Sequence, residues 1–312
     1  MNYCAIVLVL VTIFKQLCCQ HFDNIDIRFV KNDKRFVMEL ANEINRETEV
    51  TDVRILYQNV SRLKEDSFKN LFKLKVIKIK NCGLGEIENN AFNNLPSLRV
   101  LNLNQNRLKF VKRAYFDKLP ITRLYLAANG IEALDEDAFH HLKYLEMLDL
   151  SRNDLKDLHS HMFRGTTQLR RINLSFNKLE AIPNECFMEA FGSVVGEDSY
   201  IDLSDNRLTY LNLKALKGVY NLKKLDLKNN YLEQLDPNIF DEMNYLGNLD
   251  IQNNYLQSLN DNILKHLQTS HTINFYANPW NCSFVKKCVR WLSKYHKTGT
   301  FGINNLLFEC NI

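Results

Sequence analysis

Two pairs of histidines are the residues here whose types could hold a metal ion. His159 and His161 flank Ser160, and His140 and His141 are adjacent about twenty residues earlier. As zinc ligands these form a weak pattern, and surface histidines account for them better, so no metal is assigned. No nucleophile elbow, phosphate-binding loop or zinc-protease helix motif occurs in the 312 residues. The chain is therefore not read as an enzyme, and no cofactor is called for. Its 40 basic and 36 acidic residues leave a net charge of +4, too small an excess to argue for nucleic acid.

The remaining chemistry is that of an exported chain. Ala5–Phe14 is an apolar run of signal-peptide length, too short for a membrane span, so a leader over residues 1–19 and secretion are expected. No later stretch has the length and apolarity to span a bilayer. Three N-glycosylation sequons follow, at Asn59, Asn173 and Asn281. Removing Cys4, Cys18 and Cys19 with the leader leaves Cys82, Cys186, Cys282, Cys288 and Cys310.

The elements that position these groups are repeats. From Leu145 to Phe163, the residues Leu145, Leu148, Leu150, Asn153, Leu155, Leu158 and Phe163 occupy positions 1, 4, 6, 9, 11, 14 and 19 of a unit. Strand alternation at first, then its loss, fits neither a plain strand nor a plain helix. Position 1 recurs from Val50 to Ser270 at spacings of 23 or 24 residues, with one unit of 29 between Leu169 and Asp198. Position 9 reads Gln58, Cys82, Asn106, Asn129, Asn153, Asn177, Asn206, Asn230, Asn254 and Asn278. Position 19 is Phe in seven units and Leu at Leu216 and Leu264.

This spacing is the leucine-rich repeat signature. It predicts an α/β solenoid: a leucine-rich repeat horseshoe with a parallel concave sheet, about ten repeats and a C-terminal cysteine cap. The inward leucines at positions 4 and 6 supply the core, and the Phe at position 19 fills the wider convex side. The corner asparagines form a structural ladder, since a buried amide can satisfy backbone groups of adjacent turns. One unit cannot offset its own ordering entropy, so the turns must stack. The expected division is a leader over 1–19, an N-terminal cap over 20–49, repeats over 50–277 and a C-terminal cap over 278–312. Within the N-terminal cap IDIRFV alternates like a strand, while RFVMELANEI reads as a strand or a short helix. The 29-residue unit places a loop between Gly192 and Gly196, read as tolerated drift or a contact site.

Asn278, Pro279, Trp280 and Cys282 resemble the cysteine-bearing C-terminal cap of extracellular leucine-rich repeat proteins, with Phe284 where that cap has its second cysteine. FVKKCVRWLSKY reads as a helix with Phe284, Cys288, Trp291 and Tyr295 on one face. A Cys282–Cys310 bridge is favoured because it ties the last segment onto the cap. Cys82, at a corner position, is read as a buried free thiol. Cys186 and Cys288 stay unassigned, between packed thiols and an intermolecular bridge, so a disulfide-linked or non-covalent dimer remains open.

Repeat type, cap and secretion together resemble the class containing Toll-receptor ectodomains and Slit. The reduced caps make the chain similar to the short, coil-less secreted leucine-rich repeat immune proteins of mosquitoes. That resemblance implies innate-immune binding of a pathogen surface or a complement-like partner; the alternative is an extracellular adhesion or signalling ligand acting between host cells. The sheet positions carry a candidate binding patch: Arg54, Lys75, Lys78, Lys80, Arg99 and Arg123 gather in the first half, without evident compensating charge. In the second half position 5 reads Asp149, Asn173, Asp202, Asp226 and Asp250 among lysines and arginines, a self-neutralising mixture. The basic half suits an acidic extracellular protein or an anionic glycan.

Overall fold

The computed structural model describes residues 25–31, 34–40, 50–191, 199–295, 298–300 and 310. The expected leader over 1–19 and the loop between Gly192 and Gly196 lie outside the described residues. The chain divides into two compact units, Met1–Leu148 and Asp149–Ile312.

In the first unit the strands Asp52–Leu56, Val76–Lys80, Val100–Asn102 and Arg123–Tyr125 run parallel and in register. Val53, Ile77, Leu101 and Leu124 lie side by side across them. A hairpin of Ile25–Lys31 and Lys34–Leu40 adds to this sheet, its first strand pairing antiparallel with Asp52–Leu56. The first repeat is thus covered at its strand edge, where unpaired backbone groups would otherwise be open to another chain. The RFVMEL part of the RFVMELANEI segment lies in the strand Lys34–Leu40, and its remainder lies outside the described residues.

In the second unit Arg171–Asn173, Tyr200–Asp202, Asn221–Asp226, Tyr245–Asp250, Thr272–Asn274 and Thr298–Thr300 form the same kind of parallel ladder. Each turn closes through loops, short 3-10 turns such as Pro237–Phe240 and one short helix, α1 (Asp261–His266). A longer helix, α2 (Cys282–Tyr295), follows the last asparagine corner.

Period fixes the core of both units. Positions 4 and 6 are buried in every turn, as Val53 and Ile55 or Leu148 and Leu150 show. The position-19 rings are buried too, and neighbours stack: Phe68 on Phe92 and Phe163 on Phe187, both with centroids 5.6 Å apart. Offset stacking adds roughly 0.5–1.5 kcal/mol beyond the area each ring buries.

The asparagine corner forms as its chemistry requires. Asn177 donates from Nδ2 to Leu150 O one turn back (3.0 Å) and to Leu174 O in its own turn (2.9 Å), while its Oδ1 accepts the Leu155 N–H (3.1 Å). Asn230 and Asn254 repeat this set. At Cys82 the ladder is rewritten: the thiol lies 3.4 Å from Ile55 O and 3.3 Å from Lys80 O, and the Val60 N–H bonds to Cys82 O instead of a side chain. The thiol is free, and burial raises its pKa.

Position 8, just before each corner, is left-handed in every turn. Tyr57, Asn81, Gln105, Ala128, Arg152, Phe176, Asp205, Asn229, Asn253 and Ala277 all have φ between 53° and 58°. That conformation costs an L-residue roughly 1–2 kcal/mol. It is held because the flanking buried positions leave the chain no other way to turn.

Candidate functional site

The side chains at positions 3 and 5 point away from the buried positions 4 and 6, onto the open face of each sheet. At position 5 the residue type has a local role. Asp149, Asn173, Asp202, Asp226, Asp250 and Asn274 each accept from the backbone N–H two residues on, at 3.0–3.2 Å. Asn102 does the same for Asn104. These are Asx-type bonds that fix the strand exit, so this row is first a backbone device.

Asp202, Asp226 and Asp250 stand directly opposite one another on consecutive strands. Tyr200 donates to Asp202 Oδ2 (2.9 Å) and Lys224 Nζ to Asp226 Oδ2 (2.8 Å), with the same ammonium 5.4 Å from the Tyr200 ring centre. Burial holds the Asp226 carboxyl above its ordinary pKa; Lys224 opposes the shift, and Asp202 and Asp250 add to it. This face is internally paired, as the mixed sequence suggests.

The first unit differs. Arg54, Lys78, Asn102 and Tyr125 form one cross-strand row, and Arg123 lies in the neighbouring row beside Val100 and Val76. Lys75, Lys78, Lys80 and Arg123 have no side-chain partner among the described residues, and Lys75 and Arg123 are exposed. Two members of the expected patch are not free. Arg54 faces Asp52 on its own strand at 3.6 Å, which corrects the expectation of a wholly uncompensated patch. Arg99 folds back, donating from one guanidinium nitrogen to Pro96 O, Leu98 O and Pro120 O at 2.9–3.2 Å. The Arg99 backbone is bonded to the turns on both sides, and its long guanidinium, a donor only, finds the nearby loop carbonyls.

The sequons occupy three environments. Asn59 is exposed, and Asn173 sits half-buried on the sheet face with its Oδ1 taken by the Ser175 N–H and hydroxyl. Asn281 caps α2, accepting the Phe284 N–H at 2.8 Å.

Around that cap Trp280 is buried, donates to Phe275 O at 2.7 Å and packs on Phe284 at 4.6 Å. The aromatic ring at Phe284 fills the place the resemblance gives to a cysteine. Cys282 and Cys310 are joined by a disulfide. The buried stripe of α2 is Phe284, Val285, Cys288 and Leu292; Trp291 and Tyr295 are half-buried at its margin, their rings tilted against each other, which corrects the expected face. Cys186 and Cys288 are free and fully enclosed, so neither is presented for a bridge to a second chain. Burial pushes the Cys288 thiol up to about 12 and raises Cys186 further, and neither is a reactive thiolate.

Two of the four histidines reach surface carboxylates. His141 Nδ1 bonds Asp117, and His161 Nε2 lies 3.4 Å from Glu185. Among the described residues no group of three or more His, Cys, Asp or Glu side chains is arranged to hold a metal ion. No helix among them is long and apolar enough to cross a membrane.

Sequence could have found the free lysines, which follow from the frame. It gave no sign of the Arg99 backbone contacts, whereas the run of Asp and Asn in the position-5 column was a usable signal of its role as a backbone acceptor.

A leucine-rich repeat family model matches residues 48–108, 72–123, 120–179 and 199–256. Comparison with curated proteins gave no match. Among solved structures, a chain of the octameric complex of Latrophilin 3 (Lec, Olf), Unc5D (Ig, Ig2, TSP1) and FLRT2 (LRR) superposes with a TM-score of 0.56. It shares 21% identity over 79% of this chain and 68% of that one, a likeness of fold.

Proposed function

Because the chain belongs to the leucine-rich repeat family, we propose that it is a secreted protein-interaction module whose first-unit sheet holds an acidic partner. The observation that supports this reading is that Lys75, Lys78 and Lys80 along one turn, and Arg123 two turns on, are left without side-chain partners among the described residues. Cations spread over a fixed β-surface act on an approaching anion together, and a rigid scaffold spares them part of the ordering cost of binding. The partner is an extracellular protein with an acidic face or an anionic glycan. The leader over 1–19, the caps over 20–49 and 278–312, and glycans on Asn59 and Asn173 belong to the same reading.

Two biological settings fit. The reduced cysteine caps favour innate-immune binding of a pathogen surface or complement-like factor. The likeness in fold to a chain from the octameric complex of Latrophilin 3, Unc5D and FLRT2 supports adhesion or signalling between host cells. Induction of the transcript by infection supports the first; expression confined to developing tissue supports the second.

The test is a pull-down from native extracellular fluid with the wild-type chain and with Lys78→Glu/Arg123→Glu. Loss of the captured partner in the double variant supports the site, and undiminished capture sinks it.

A further inference from the structure

The second unit has a cleft of about 600 Å³ away from the sheet face, where three consecutive turns leave their asparagine corners. It is lined by the same two repeat positions in each turn. Position 13 supplies Tyr210, Gln234 and Ser258, and position 15 supplies Asn212, Asp236 and Asn260. We propose that this cleft binds a neutral saccharide.

Its volume is in the range of small-ligand sites, and its chemistry narrows the ligand. Asp236 and Asn260 each spend one side-chain oxygen on a following backbone N–H, at 2.9 and 2.8 Å. Both groups are thereby fixed in place, and the second carboxylate oxygen of Asp236 is free to accept. The Gln234 amide and the Ser258 hydroxyl have no side-chain partner among the described residues. Tyr210 and Leu213 are 49% and 54% exposed along one wall, giving a ring face and an apolar edge. A pyranose needs this combination: an aromatic plane for its C–H face, and a carboxylate, an amide and a hydroxyl for its O–H groups. No Lys, Arg or His lines the cleft, so an anionic ligand would meet Asp236 unopposed. The turns succeed one another at roughly 5 Å, the spacing of adjacent strands. Gln234 and Ser258 therefore recur at an interval close to one sugar residue, which suits a chain of two or three linked units.

The experiment uses the full chain and three neutral probes, cellohexaose, chitohexaose and mannohexaose, followed by saturation-transfer NMR and calorimetry. The expected result is binding to at least one probe tighter than about 10 mM, an affinity a shallow open cleft can reach. Tyr210→Ala and Asp236→Asn should each weaken it by about tenfold or more, equivalent to roughly 1.4 kcal/mol, with thermal melting unchanged. Asp236→Asn keeps the bond to the Asn238 N–H, so a loss of binding there reports on the ligand and not on the turn. No binding of any probe, or binding indifferent to both substitutions, overturns the proposal. Capture of a basic tetrapeptide in place of the sugars, sensitive to Asp236→Asn, also overturns it and assigns the cleft to a protein segment.

Discussion

Asn206 reaches back across the longest unit of the chain and donates to Leu174 O at 2.9 Å, the bond that Asn177 makes to Leu150 across an ordinary one. The two bonds span 32 and 27 residues of sequence. Corner geometry is therefore independent of how much chain lies between corners. What the ladder requires is a buried amide at position 9, with a carbonyl on one side and an N–H on the other.

Asn206→Ala leaves the buried Leu179 N–H without its acceptor, while Leu174 O loses one of two donors and keeps the Asn177 amide. Each buried group left unmade costs about 1–3 kcal/mol. A denaturant titration should show a loss of about 1–3 kcal/mol, and a midpoint within error of wild type contradicts the ladder.

Ala277→Gly should do the opposite. Ala277 is exposed with φ of 53°, so its methyl adds strain and no packing. Relief of roughly 1–2 kcal/mol exceeds the entropy a glycine adds to the unfolded chain, about 0.4–1 kcal/mol. A rise in melting temperature of a few degrees is expected.

The period made the buried columns legible. Leu148, Leu150, Asn153 and Phe163 could be placed from spacing alone, because hydrophobicity and the amide are what those positions select. Position 8 could not be read. It holds Tyr57, Arg152 and Phe176 as well as asparagines, and a conformation imposed by its neighbours leaves no mark on side-chain type. The charged face was read in part. Lys78 and Arg123 follow from the frame, whereas Arg99 has enough rotatable bonds to leave the sheet for three carbonyls.

Asp226 links the sheet to pH. Its folded pKa is raised, so the folded state holds a proton over a window in which the unfolded state has released it. That contribution is fully present below the ordinary carboxylate value and is lost as pH rises through the folded one. Asp226→Asn keeps an acceptor for the Lys228 N–H, as Asn173 does for Ser175. Its melting temperature should exceed that of wild type by more at pH 7 than at pH 3; an equal difference at both contradicts the shift.

The Cys282–Cys310 bridge closes a loop of 28 residues' separation, worth about 3–4 kcal/mol in the chain-entropy model. Reduction, or Cys282→Ser, should lower the melting temperature, while alkylation of the enclosed Cys288 should proceed only after unfolding. Rapid labelling of Cys288 in the native protein would show that the cap is open.

The most direct test of the binding account is the salt dependence of partner retention on immobilised wild-type chain and on Lys78→Glu/Arg123→Glu. Retention by wild type should be strong at about 0.15 M salt and fall sharply at about 0.5 M, as screening shortens the reach of the exposed cations. The double variant, folded by its unchanged melting curve, should retain nothing at either concentration. Equal, salt-insensitive retention by both proteins would contradict the account.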